Sequence, residues 1–274
     1  MPSSVVDFIR AALAEDIGHG DITTSLTVDT DAVSEAFVIA KEPLLLAGLP
    51  FFKLVFLLID EGVDVQLLRV DGSEFLKGER IARVAGRTRS LLMGERLALN
   101  IIQRLSGIAT LTRMYTDRVK DLPVQIVDTR KTTPNMRYME KYAVRIGGGS
   151  NHRFGLYDGV LIKDNHIKAA GGIAQAIERV KQVPLLTKIE IEVKNIEELK
   201  EALELDVDIV MLDNMSIEDM RRCVEIVNKR VKLEASGNVT LENVRQIAET
   251  GVDIISSGYL THSARAADIS MKIV

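Results

Sequence analysis

The sequence predicts an α/β protein in two parts, a mixed α+β layer followed by a run of parallel β/α units. Three observations carry this reading. After Pro123, short β-branched runs alternate with helical patterns at intervals of roughly 20 residues, the rhythm of parallel β/α architecture. Before Pro123, strands and helices follow one another without such a repeat. The tail, residues 268–274, alternates apolar and polar side chains, so it is expected to return to the first part as a strand. With 274 residues, 46% hydrophobic and 27% charged, the chain can build a substantial core in one large domain or two smaller ones.

Taken in order, residues 4–14 form an amphipathic helix, and a Gly-His-Gly turn follows at 18–20. Residues 33–41, 63–70 and 80–84 read as strands, with a helix from Pro50 to about Asp60. A helical pattern runs from 88 to 119 and is expected to break near Ser106-Gly107. In the second part, strands are expected at 124–127, 160–162, 189–193, 208–212, 231–235 and 253–256, with room for a seventh within 145–153. Helices are expected at 172–182, 196–205, 216–228 and 241–250. Six or seven such units suit a barrel short of eight, and a doubly wound sheet is the competing arrangement.

In β/α barrels the chemistry sits at the carboxyl ends of the strands. Here those ends read Asp128-Thr129-Arg130-Lys131, Lys163-Asp164-Asn165-His166, Glu190-x-Glu192, Asp213-Asn214, Ser236-Gly237-Asn238 and Ser257-Gly258. The first four are charged. The last two are small, which lets backbone N–H groups approach a phosphate at the late-strand position where such barrels hold one. The loop Gly147-Gly148-Gly149-Ser150-Asn151-His152-Arg153 delivers a His-Arg pair to the same region. Taken singly, Arg130, Lys131 and Arg153 also read as solvated surface charges and the Lys163 stem as one that snorkels. Glu192 and Asp213 also read as structural partners of lysines, and the Ser-Gly pairs as plain turns. Their joint placement at strand ends favours one site.

Charge sharpens the picture. Lys+Arg 35 against Asp+Glu 39 gives −4, which argues against nucleic-acid binding by bulk charge, and 4% aromatics leave little for base stacking. Yet residues 128–168 hold eight Lys/Arg and four Asp/Glu, so this window carries +4 and the remainder −8. Clustered guanidinium groups suit a small polyanion bound through carboxylate or phosphate. The single cysteine, Cys223, excludes an internal disulfide and reads as helix packing. His19 reads as a turn residue, and the four histidines lack zinc-ligand spacing. No apolar run approaches the roughly 20 residues of a membrane span. The first residues lack the pattern of a signal peptide, so a cytoplasmic protein is expected.

Eight segments in order carry a resemblance: EDIGHGDITT at 15–24, NIIQRLSGIAT at 100–110, DTRKTTP at 128–134, GGGSNHRFGLYDGVLIKDNHI at 147–167, EIEV at 190–193, MLDNM at 211–215, LEASGN at 233–238 and SSGYLTHS at 256–263. Together they resemble the quinolinate phosphoribosyltransferase family over essentially the whole chain. The resemblance implies an N-terminal α/β sandwich domain at 1–105, to which the tail at 266–274 returns, and an incomplete seven-stranded β/α barrel at 106–265. It implies transfer of phosphoribosyl from 5-phosphoribosyl 1-diphosphate to quinolinate, with Mg²⁺ as cofactor and loss of diphosphate and CO₂, giving nicotinate mononucleotide. It further implies a homodimer or hexamer in which one subunit's N-terminal domain covers its neighbour's barrel mouth.

On this resemblance, Thr129, Arg130, His152, Arg153 and Lys163 match the quinolinate site, and Arg104 matches the arginine that reaches in from the neighbouring subunit. Lys131 matches a contact to phosphoribosyl diphosphate, while Glu192 and Asp213 match the acids near the ribose hydroxyls and the metal. Ser236, Gly237, Asn238, Ser257, Gly258 and Tyr259 match the turns that hold the 5-phosphate, with His262 close by. Tyr259 stands where the family often has a small residue. Three alternatives stay open: a nicotinate-using relative, a paralogue associated with molybdate transport, and a noncatalytic phosphate-binding module.

Overall fold

A 32-residue helix and three sheets, of four, six and two strands, organise the chain, and the computed structural model describes all of residues 1–274. Two structural units result. The first takes Met1–Arg113, Thr133–Gly148 and Ser263–Val274, and the second Met114–Thr132 and Gly149–His262.

The first unit opens with α1 (Ser3–Ile17), whose buried Val5, Ile9 and Leu13 recur every four residues and so share one face. Helix α2 (Ile22–Thr27) is capped by Asp21, whose carboxylate accepts the Thr24 N–H. Strand β1 (Val33–Ala40) buries Ala36, Val38 and Ala40 on one face. After β2 (Leu44–Leu45) comes α3 (Leu49–Ile59), with Pro50 in its first turn, where no N–H is needed. The Asp71 carboxylate accepts the N–H groups of Gly48 and Leu49 at 3.0 and 3.1 Å, satisfying the orphan donors of that helix start. Strands β3 (Asp64–Leu67), β4 (Glu74–Phe75) and β5 (Arg80–Arg87) follow, then α4 (Thr88–Val119) and α5 (Arg137–Ile146). The last strand, β12 (Ile269–Ile273), pairs antiparallel with β1, Ala36 opposite Ile273, and the four-stranded sheet runs β12-β1-β5-β3.

Helix α4 does not break at Ser106-Gly107. The glycine serves close packing. A Cβ on Gly107 would lie 1.9 Å from the carbonyl oxygen of Arg265, so the returning tail rests directly on the helix backbone. Gln103 secures that tail, its carbonyl accepting the Ala267 N–H and its side chain donating to the Ile269 carbonyl. Ser106, fully buried, accepts the Ala47 N–H.

The second unit is a parallel sheet with strands β6 (Gln125–Val127), β7 (Val160–Ile162), β8 (Ile189–Val193), β9 (Ile209–Asp213), β10 (Lys232–Ser236) and β11 (Ile254–Ser256). Between and after them lie α6 (Asp164–Ala170), α7 (Ile173–Val180), α8 (Ile196–Leu203), α9 (Ile217–Val227), α10 (Val244–Ala248) and α11 (Tyr259–His262). The strand order, β6-β11-β10-β9-β8-β7, never reverses direction in the middle of the sheet. That excludes the doubly wound arrangement, which needs a switch point, and leaves the barrel-like winding. The place of the seventh strand is held by one residue: Ser150 forms a single parallel bridge to Val127. Gly147 to Gly149, next to the end of α5, offer no side chains to build a longer strand. Along β8 all five residues are buried, yet Glu190 and Glu192 alternate with Ile189, Ile191 and Val193, so the strand presents carboxylates on one face and branched aliphatics on the other. No helix is long and apolar enough to cross a membrane.

Gly107→Ala is expected to lower stability by at least about 1–3 kcal/mol, the range for overpacking. The urea midpoint reads this; an unchanged midpoint would mean that the Arg265 backbone yields freely.

Candidate active site

The carboxyl ends of the parallel strands enclose a cavity of about 590 Å³. Thr129, Arg130 and Lys131 reach it from β6, His152 and Arg153 from the glycine-rich loop, and Lys163 from β7. Glu192 enters from β8, Asp213 and Asn214 from β9, and Ser236, Gly237 and Asn238 from β10.

The loop is tied down by Asp128, which is fully buried behind the cavity. Its carboxylate accepts the His152 N–H at 2.9 Å and the Asn151 side-chain amide at 2.5 Å. Backbone and side-chain donors together satisfy a buried charge that would otherwise be costly. The His152 ring is then held from both sides. Its Nδ1 accepts the Arg153 N–H at 2.8 Å, so the neutral imidazole carries its proton on Nε2 and donates it to Glu190 at 2.9 Å. Arg153 donates to the Gly159 carbonyl at 2.9 Å. Burial first, then the like charge of Arg130, lowers its pKa. Two guanidinium groups close enough to repel across one cavity make a site for an anion with more than one negative charge.

In the same cavity, Lys163 and Glu192 form an ion pair at 2.9 Å. Asn214 donates its side-chain amide to Asp213 and accepts that of Asn238, at 3.0 and 2.9 Å. Gly237 has φ +92°, and a Cβ there would lie 2.3 Å from the Asn214 amide oxygen. The turn after β10 is therefore folded tightly over the end of β9, and its backbone is brought close to any ligand in the cavity.

Eleven residues expected from the sequence line this one cavity: Thr129, Arg130, Lys131, His152, Arg153, Lys163, Glu192, Asp213, Ser236, Gly237 and Asn238. Ser257, Gly258, Tyr259 and His262 stand outside its lining. Ser257 is buried with its hydroxyl committed to the Val239 carbonyl, and a Cβ on Gly258 would meet Lys131 Cδ at 2.8 Å. Gly258 thus backs the Lys131 side chain. The Tyr259 and His262 rings lie 5.1 Å apart. Arg104 belongs to the first unit, where it bonds the buried Glu140 carboxylate at 3.0 Å and the Ala264 carbonyl at 2.7 Å.

Sequence reasoning gave no role to Glu234 or Glu190. Glu234 lines the cavity from the middle of β10 and is fully buried, with its Oε2 3.6 Å from His152 Nε2. Neither of its oxygens has a hydrogen-bond partner. Burial, and then the charge of Glu190, pushes its pKa up to about 8. The signal was present: a glutamate inside an apolar strand, in step with Ser236 on the same face.

Against known proteins, the family model for the quinolinate phosphoribosyl transferase C-terminal domain matches residues 108–272, and that for the N-terminal domain matches 21–106. The chloroplastic nicotinate-nucleotide pyrophosphorylase (carboxylating) of Arabidopsis thaliana is 44% identical over 285 residues, spanning 97% of this chain and 81% of the relative. The solved nicotinate-nucleotide pyrophosphorylase of Francisella tularensis is 42% identical and superposes with a TM-score of 0.95, over 100% of this chain and 98% of that one. NadC from Streptococcus pyogenes superposes with a TM-score of 0.96 at 41% identity, over 100% and 98% of the two chains. With both family models matched in order along one chain, the protein belongs to the quinolinate phosphoribosyltransferase family.

Proposed function

We infer that this chain is a decarboxylating quinolinate phosphoribosyltransferase: it joins quinolinate to 5-phosphoribosyl 1-diphosphate and releases diphosphate and CO₂, forming nicotinate mononucleotide for NAD biosynthesis. The observation that supports this most directly is the single cavity that Arg130, Arg153 and Lys163 share with Glu192, Asp213 and the turn at 236–238. A dicarboxylate answers the cation cluster, and a phosphorylated ribose answers the acids and the small turn.

Arg130, Arg153 and Lys163 orient quinolinate so that its pyridine nitrogen faces ribose C1. The nitrogen attacks as diphosphate leaves, through an oxocarbenium-like transition state whose developing charge the fixed carboxylates of Glu192 and Asp213 stabilise while they hold the ribose hydroxyls. Lys131 neutralises the departing diphosphate, and backbone N–H groups of 236–238 and 258–259 hold the 5-phosphate, the Ser257 N–H being given to the Val127 carbonyl. The new positive charge on nitrogen stabilises the ylide left at C2 when the adjacent carboxylate departs, so no organic cofactor is required. Glu192 and Asp213 offer an all-oxygen donor set that fits Mg²⁺: Lys163 takes one oxygen of the first and Asn214 one of the second, and each carboxylate has another to give. When bound, the ion supplies charge neutralisation to the diphosphate. Arg104 is assigned to the site of a neighbouring subunit in a homodimer or hexamer. A lone buried cysteine fits a cytoplasmic enzyme.

Purified protein with quinolinate, phosphoribosyl diphosphate and Mg²⁺ is expected to form nicotinate mononucleotide, diphosphate and CO₂ in equal amounts. Turnover of nicotinate in place of quinolinate, or no turnover of quinolinate, would overturn the reading. Arg130→Ala and Arg153→Ala are each expected to weaken quinolinate binding by about 1.5–3 kcal/mol, the range for a charged hydrogen bond. Calorimetry checks this, with phosphoribosyl diphosphate affinity unchanged. Asp128→Ala is expected to raise the KM for quinolinate about tenfold or more through the released loop, with partial rescue in Asp128→Asn. Equal losses for both substrates would mean general unfolding. Arg104→Ala mixed with Lys131→Ala under subunit exchange is expected to regain activity, and no regain would place each site within one subunit.

A further inference from the structure

Decarboxylation leaves an electron pair on pyridine C2, and one proton must reach that carbon in every turnover. The residues assigned to quinolinate are poor sources. Arg130 and Arg153 keep their protons in water. Lys163 is held against Glu192 at 2.9 Å. His152 is engaged at both ring nitrogens, its Nε2–H given to Glu190.

Glu234 is placed differently. It faces Glu190 from β8, His152 from the loop, Lys163 from the end of β7 and the Ser256 hydroxyl from β11, and it lines the catalytic cavity. Burial and the neighbouring charge of Glu190 outweigh the pull of His152, the Ser256 hydroxyl and Lys163, so the acid form prevails at neutral pH. A second cavity of about 240 Å³ touches Glu234 from another side. Its walls include Gln125, Val160, Ile209 and Ile254, the first residues of four strands, together with Ser150 at the barrel's open seam. His152, Arg153 and Glu234 line both cavities, so Glu234 stands in the wall between the site and a rear chamber.

We propose that Glu234 is the acid that protonates C2 during decarboxylation and is recharged by water in the rear chamber. This rests on the quinolinate reading above. The bond from C2 to the carboxyl carbon breaks, its electron pair stays on C2 and CO₂ leaves as a neutral molecule. The pair then takes the Glu234 proton, leaving a carboxylate that water reprotonates. A donor beside the ylide traps it before CO₂ recombines. Glu234 therefore governs the second half of the reaction and leaves phosphoribosyl transfer alone.

The test is a single-turnover experiment on the assembled enzyme with quinolinate, phosphoribosyl diphosphate and Mg²⁺, quantifying diphosphate, undecarboxylated mononucleotide and nicotinate mononucleotide after quenching. Glu234→Gln preserves shape but has no acidic proton. It is expected to release diphosphate at close to the normal rate and to form nicotinate mononucleotide at least about tenfold more slowly, at the low end of general-acid effects. Undecarboxylated mononucleotide should accumulate, and Glu234→Asp should restore part of the second step. In the unmodified enzyme the ratio of nicotinate mononucleotide to diphosphate is expected to fall above about pH 8, where Glu234 loses its proton. Equal rates of both products in Glu234→Gln, or equal loss of both, would overturn the proposal. So would a ratio that stays flat from about pH 6 to 10 in the unmodified enzyme, which decides the matter even if Glu234→Gln fails to fold. Absence of nicotinate mononucleotide from the unmodified enzyme would instead refute the functional reading itself.

Discussion

Parallel pairing is the constraint from which the site follows. Because β6 to β11 all run the same way, their carboxyl ends lie at one edge of the sheet, and every loop that leaves them starts from the same place. Residues separated by more than a hundred positions in sequence thereby share one cavity. The strand order, which steps from β7 through β11 and then to β6, adds a second consequence: the ends are arranged around a mouth, so cations from β6 and β7 and acids from β8 and β9 line one cavity.

That arrangement would be unstable if charge were left unbalanced. Carboxylates pin the site at three places. Glu192 meets Lys163 at the rim, Glu190 meets His152 further in, and Asp128 holds the loop through its backbone. Each pairing fixes a side chain in place, and the incoming substrate meets groups that are already oriented. The buried glutamates also set a limit on how much negative charge the interior tolerates, which is why burial and Glu190 together keep Glu234 an acid.

Much of this was legible in the sequence, for identifiable reasons. Strands such as 189–193 announce themselves because β-branched residues fill them, and the functional residues follow because barrel chemistry sits where strands end. Where reading failed, local pattern and tertiary role diverged. Gly107 looks like a helix break, yet it marks contact with a segment more than 150 residues away. Helix α5 escaped notice because it is short and rich in charge, and two of its buried positions, Glu140 and Lys141, read as surface residues. Helix α6 buries no residue, so it has no stripe to find. Glu234 was passed over because a single acid within an apolar run looks like noise until its neighbours on the same face are known.

The return of the tail has a consequence for how the protein comes into being. Strand β1 is made before every strand of the parallel sheet, but its partner β12 is made after all of them. Until β12 has been made, β1 keeps one edge open, and the backbone of α4 at Gly107 waits for the segment that rests on it. Domains usually mature in the order in which they are made. Here the order is interleaved: the unit that contains β1 is completed only after every strand of the other unit has been made.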